Sequence, residues 1–321
     1  MVEIGYKLSS EKYPSLDLVC YAKQAEDAGF DFAMISDHYH PWTSREGNSP
    51  FVWGTIGGIS QATSKIPIGT GVTCPTFRIH PAIVAQAAAT AASMLPGRFI
   101  LGVGSGESLN EHILGDEWPP TPTRIEMLGE AVDLIRTLWN GGDGMQDYDG
   151  CYYHIENARI YTKPEESPPI YIAAEGEIAC KLAGEEGDGL IAQSGKKEIT
   201  KNFKKNGGEG KPCLGEATVC WAETDDEAKR QAYEIWPIKA NTVQLNGDLP
   251  TPSHFEQLGE IINEDILAEQ MVCSSDPEDH INEIKSYVDA GFDQICIQHV
   301  GENQHEFIEF CEKEILPEFR D

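Results

Sequence analysis

Eight short apolar runs, separated by helix-length amphipathic stretches, constrain this chain more than any other feature. The runs are Ile4–Leu8, Phe32–Ser36, Ile66–Thr73, Phe99–Val103, Ile170–Ala174, Gly189–Gln193, Glu216–Trp221 and Gln294–His299. Short, apolar and rich in β-branched residues, they read as strands. Between them, Leu16–Ala28, Ala82–Met94, Arg124–Trp139, Asp225–Trp236 and Pro277–Ala290 repeat their apolar residues at helical spacing. Such alternation predicts βα units around a parallel sheet, and so an α/β fold, the (β/α)8 TIM barrel. With 321 residues, 40% of them hydrophobic, one large core is feasible. Residues 1–321 are therefore expected to form a single barrel domain, since no Ser/Gly tract or sustained like-charge block reads as a linker.

A faint internal echo agrees with that topology. The stretch QAEDAGFDFAMIS at 24–36 recurs in form as YVDAGFDQICIQ at 287–298 and more weakly as LAGEEGDGLIAQ at 182–193. Each predicts a helix end, a glycine (Gly29, Gly291, Gly187) in a left-handed cap, and then a strand. Two stretches break the pattern and are expected as insertions, near 141–164 and 242–265. The first contains YDGCYYH and predicts a β-hairpin turning at Asp149-Gly150. The second is polar, carries Pro250 and Pro252, and reads as an excursion over the site or at an interface.

Composition excludes several function classes. A formal charge of −29 argues against nucleic acid or an anionic membrane surface as a partner. It fits a saline cytoplasm, and indifference of stability to molar salt would refute that habitat. No run approaches a membrane span and no signal peptide is apparent, so a cytoplasmic protein is expected. The nine cysteines are scattered, with no Cys-x-x-Cys pair, so neither a disulfide framework nor a zinc cluster is expected.

In such barrels the chemistry lies on loops just past the strands. Polar and aromatic residues are densest in Ser36-Asp-His-Tyr-His-Pro-Trp42. His38 can act as acid or base near neutrality, Asp37 can orient it or touch a ligand, and Trp42 offers a flat wall. His38 and His40 also form a His-x-His pair of the zinc-binding kind, but no histidine closes strands five or six, so no metal is expected. After strand four, Gly102-Val-Gly-Ser-Gly-Glu-Ser-Leu-Asn-Glu111 fails the dinucleotide fingerprint, because Glu107 stands where its third glycine belongs. Glu107 is instead a candidate proton partner for His38.

Assembled, these motifs resemble the luciferase-like flavin and deazaflavin oxidoreductases, most nearly the coenzyme F420-dependent glucose-6-phosphate dehydrogenase family. The likeness runs nearly end to end. It is carried by Gly5-Tyr-Lys, Ser36–Trp42, Pro75-Thr-Phe-Arg, Pro81-Ala-Ile-Val-Ala-Gln-Ala, Gly102–Glu111, Tyr171-Ile-Ala-Ala, and Gly187-Asp-Gly followed by Ser194-Gly-Lys. The resemblance implies a deazaflavin at the strands' C-terminal ends, contacted by Asp37, Cys74, Ser105, Gly106, Asn110, Glu175, Gly176, Ile178 and Ala179. It implies a non-prolyl cis peptide at Gly71-Val72 behind the ring. It makes His38 and Glu107 the acid–base pair, with Trp42 beside the ring and Glu11 nearby. The reaction implied is hydride transfer from a carbinol carbon to C5 of the deazaflavin, and two subunits would pair as a homodimer.

The departures bear on substrate. Of the family's phosphate clamp Lys196 survives, but Gln193 stands at its Thr position and Gln270 at its Arg position, and 242–265 holds no Lys or Arg. A phosphate dianion needs several cationic donors. The related F420-dependent secondary alcohol dehydrogenases share Asp-His-x-His-Pro-Trp, which makes His40 a candidate pocket residue and leaves neutral alcohols beside sugar phosphates. Cys74 and Glu175 replace the usual small or hydroxyl groups. An FMN-dependent luciferase-like monooxygenase and a non-catalytic cofactor-binding paralogue are the competing readings.

Overall fold

The computed structural model describes residues 2–240, 243–263, 266–267 and 269–320. In chain order its strands are β1 (Glu3–Leu8), β2 (Phe32–Ile35), β3 (Ile68–Thr70), β4 (Phe99–Val103), β5 (Gln146–Asp149), β6 (His154–Ala158), β7 (Ile170–Ala173), β8 (Gly189–Ala192), β9 (Cys213–Cys220), β10 (Val272–Cys273) and β11 (Gln294–His299). The order β9-β11-β1-β2-β3-β4-β7-β8 closes through a β8–β9 pairing, and each of these pairs is parallel. The eight expected strands therefore form the expected barrel. Two differ from the expected limits by more than one residue at an end: β9 begins three residues before Glu216, and the run from Ile66 shortens to Ile68–Thr70, the chain leaving the sheet at the cis Gly71–Val72 peptide.

Two hydrophobic layers build it. A small cluster of Phe32, Met34, Tyr171, Ile191, Leu214 and Cys296 comes from strands alone and is the barrel interior. The larger cluster joins alternate strand residues, such as Ile4, Tyr6 and Leu8, to helix residues such as Leu18, Val84 and Ile135. Burying each such Leu, Ile or Val side chain contributes about 1.5–3 kcal/mol. The period of two places Lys7, Glu216, Thr218 and Gln298 on the interior side, nearer the C-terminal mouth.

The echoed turns separate into two kinds. Gly29 (φ 87°) and Gly291 (φ 95°) adopt the left-handed conformation expected of them. Gly187 does not: its φ is −82°. It is glycine for another reason, since a Cβ there would lie 2.6 Å from Ala183 O.

The hairpin forms at β5–β6, Asp149 pairing with His154. Its loop is thus the four residues 150–153, and the Glu130 carboxylate accepts the N–H groups of Cys151, Tyr152 and Tyr153. The ends of the second insertion, Thr242 and Asp265, lie outside the described residues. Within it are two short helices, Val243–Asp248 and Pro252–Gly259. The short β10 was not expected. It takes the edge of β9 beyond the point where β8 stops, because β9 meets β8 at 213–215 and β10 at 219–220.

Candidate active site

The turn after β1 brings Glu11, the Ser36–Trp42 segment leaves β2, and Glu107 precedes the short helix Ser108–Glu111 after β4. Around His38 these three segments converge. Its Nε2 lies 3.3 Å from Glu11 Oε1 and 3.6 Å from Glu107 Oε2, and its Nδ1 faces His40 O at 3.3 Å. Trp42 packs against it, ring centroids 5.1 Å apart. Glu11 is buried and takes a 2.6 Å hydrogen bond from Ser36 Oγ. Burial raises the Glu107 carboxyl above its ordinary pKa, against the opposing pull of His38. An imidazole donating Nδ1–H to a carbonyl leaves Nε2 facing two carboxyls, so the trio can pass one proton among three groups.

Asn110 fixes this arrangement. Its Oδ1 accepts from Tyr39 N (2.9 Å) and His40 N (3.1 Å), and its Nδ2 donates to Glu107 Oε2 (3.2 Å). One buried amide thus ties the β2 loop to the β4 loop. Asp37 is buried with both oxygens engaged, by Thr73 Oγ1 and by Arg78 Nη2, each at 2.8 Å. Arg78 also donates its backbone N–H to Glu111, whose carboxyl burial pushes up to about 7 despite the guanidinium beside it.

The remaining expected cofactor residues also gather at the strands' C-terminal ends. Val72 is half-buried beside Gly104, where a Cβ would meet Val72 Cγ2 at 2.7 Å. Gly106 has φ 81°, and a Cβ there would lie 2.5 Å from the buried Cys74 Sγ. Ser105 is half-buried before it. Gly176 caps the helix Glu177–Glu186 and opens onto free space, with Ile178 exposed and Ala179 half-buried in its first turn. Glu175 has a role sequence did not suggest: it accepts from Gln193 N (2.6 Å), Ser194 N (3.0 Å) and Ser194 Oγ (2.7 Å), pinning the β8 loop to the β7 loop.

The expected substrate residues are placed more loosely. His40 Nδ1 faces Leu109 O at 2.8 Å and its ring stacks on His112. Gln193 and Lys196 are exposed on the β8 loop, and Gln270 is exposed just before β10. Among the described residues there is no His, Cys, Asp or Glu group arranged to hold a metal.

Sequence reading missed several residues here. Lys7 Nζ donates to Gly71 O (2.8 Å) and pairs with Glu216 (2.5 Å) inside the barrel. The alternation Tyr6-out, Lys7-in along the first run was the available signal. Arg78 lay inside a quoted motif without a role. Glu46 is buried and pushed up to about 8 by burial and by Glu11, a long-range effect that nothing local announces. Lys239 reaches Thr218 from the segment after the helix Asp225–Ile235.

Known proteins share this framework. An F420-dependent glucose-6-phosphate dehydrogenase of Microbacterium testaceum is 35% identical over 99% of this chain and 98% of its own. One of Amycolatopsis mediterranei is 35% identical over 100% and 99%. The solved structure of an F420-dependent secondary alcohol dehydrogenase, in complex with an F420-acetone adduct, superposes with a TM-score of 0.93 at 30% identity, covering 100% of this chain and 99% of the other. The profile of the luciferase-like monooxygenases matches residues 5–294. The chain belongs to that luciferase-like family.

Proposed function

We propose that this chain is an F420-dependent oxidoreductase that transfers a hydride between C5 of the deazaflavin and the carbinol carbon of an alcohol or sugar (phosphate). The observation that carries the reading is His38 Nε2 held between Glu11 and Glu107 beside Trp42 at the barrel mouth. Small residues, Gly71, Gly104 and Ala173, stand at the strand ends there, and the free space at Gly176 suits an anionic tail beside a helix N-terminus. The residues that would hold the coenzyme are Asp37, Gly71, Val72, Cys74, Ser105, Gly106, Asn110, Glu175, Gly176, Ile178 and Ala179. Bound there, F420 supplies a two-electron hydride acceptor.

The protein's own work is proton handling and positioning. His38 exchanges the substrate's hydroxyl proton, and Glu107, whose carboxyl burial raises above its ordinary range, is its partner in proton exchange. Trp42 walls the pocket, itself braced by Phe255 and Trp236. His40, Gln193, Lys196 and Gln270 are the candidate substrate contacts. Two copies pair through the exposed apolar surface of Phe51, Ile83 and Met94. No helix among the described residues is long and apolar enough to cross a membrane, and the cytoplasm is the proposed location.

Titrating the purified protein with F420 and with FMN tests the cofactor, read by quenching of tryptophan emission. Tight F420 binding with turnover of an alcohol is expected. FMN binding alone would favour a monooxygenase, and F420 binding without turnover a non-catalytic paralogue.

A further inference from the structure

Three lysines reach the C-terminal half of the barrel, and they differ in what they meet. Lys7 is paired with the Glu216 carboxylate. Lys12 Nζ donates to two backbone carbonyls, Val300 O at 2.9 Å and Gly301 O at 3.0 Å. Lys239 Nζ has one hydrogen-bond partner among the described residues, Thr218 Oγ1 at 3.0 Å, and no carboxylate within ion-pair distance. An ammonium carries three donors. Among the described residues nothing takes the other two, and the side chain is half-buried.

Its surroundings place it in the pocket. Thr218 and Gln298 are buried register partners on β9 and β11, and Thr218 Oγ1 donates to Gln298 Oε1 at 3.0 Å. Both lie an even number of residues beyond interior-cluster members, Leu214 and Cys296, so both face into the barrel at its mouth. The residue before Lys239 fixes the other side: Ile238 is buried in one cluster with Trp42, Leu109 and Phe255. The turn Pro237–Ala240 therefore bridges the ring that touches His38 and the interior hydroxyl of Thr218. Burial lowers the Lys239 pKa, and Glu216, Glu175 and Glu283 oppose that from a distance without pairing.

We propose that Lys239, backed by Thr218 and Gln298, holds a carboxylate group of the substrate remote from the reacting carbon, so that the enzyme prefers hydroxy acids to neutral alcohols. An incoming carboxylate takes the other two donors with charge-assisted hydrogen bonds and partners a charge that is otherwise costly to shield from water. The proposal rests on the dehydrogenase reading above.

The test compares matched ligands differing in charge: 3-hydroxybutyrate against 3-hydroxybutyramide, and 4-hydroxypentanoate against 4-hydroxypentanamide. Dissociation constants come from tryptophan quenching of the F420-loaded protein, and kcat/KM from loss of F420 absorbance. For at least one pair the wild type is expected to bind the charged member about tenfold or more tightly. Lys239→Met should abolish that preference while leaving F420 affinity and the neutral ligand's binding within about twofold, and Lys239→Arg should restore most of it. Discrimination absent in the wild type, or retained in Lys239→Met, overturns the proposal. If Lys239→Met does not fold, retained tight binding of the neutral ligands and weak binding of both charged ones by the wild type still decides against it. If no alcohol is oxidised, the dehydrogenase reading fails, while charge discrimination in binding remains measurable on its own.

Discussion

On one side of the mouth, formed by the loops after β1, β2 and β4, His38, Glu11, Glu107, Asn110 and Asp37 each meet a partner inside the protein. On the other, Glu175 after β7 bonds backbone groups of the β8 loop, while Gln193 and Lys196 on that loop and Gln270 before β10 stand exposed. The first side is a built network in which removing any member leaves a buried group unmatched. The second is a rim whose side chains can change at little structural expense. Proton transfer needs positions fixed to fractions of an ångström, whereas substrate choice needs only one or two groups well placed.

Changes on the built side should accordingly be severe. Replacing His38 by Ala is expected to lower turnover by about two to four decades while leaving F420 affinity nearly intact. Stopped-flow reduction of bound F420 measures it, and full turnover would remove His38 from the chemistry. Next comes Arg78→Met, which strands Asp37 and Glu111 as buried carboxyls without their cation. A loss of about 3–5 kcal/mol is expected, read from urea midpoints. A change under about 1 kcal/mol would mean the network is not coupled as drawn.

The two sides also differed in how far sequence could reveal them. The barrel was legible because burying strands on both faces writes a continuous apolar run, and β11 matches its run residue for residue. His38, Glu107 and Trp42 were legible because they sit on short loops next to their strands. Arg78 with Glu111, Lys7 with Glu216, and Lys239 with Thr218 were not, because each pairing joins residues 21 or more apart whose meeting depends on barrel closure. The left-handed cap expected at Gly187 failed for a local reason: a crowded carbonyl and a positive φ both demand glycine and leave the same letter.

Glu46 tests the built side by pH. Its carboxyl titrates near about 8 in the folded protein, against an ordinary value near 4.5. Between those values the folded state holds a proton the unfolded chain has released, so its contribution is lost as pH rises through that window. Glu46→Gln should therefore flatten the fall in Tm between pH 5 and pH 9 and leave the variant a few degrees more stable at the upper end. Glu111, pushed up to about 7, retains part of the slope. Parallel Tm curves for the two proteins would show that Glu46 ionises normally.

The smallest effect is expected on the exposed rim. Lys196 is the one retained member of the phosphate clamp to which the sequence points, yet it stands in solvent on a loop that Glu175 holds through Gln193 and Ser194 rather than through the lysine itself. An exposed ammonium attracts an anion by no more than about 1 kcal/mol, and salt screens it further. Lys196→Ala should thus raise KM for a charged substrate by less than about fivefold, with kcat unchanged and the effect vanishing at high ionic strength. A larger, salt-resistant rise would mean that the loop closes over the substrate and buries Lys196. The rim would then be a second built side that assembles only when the ligand arrives.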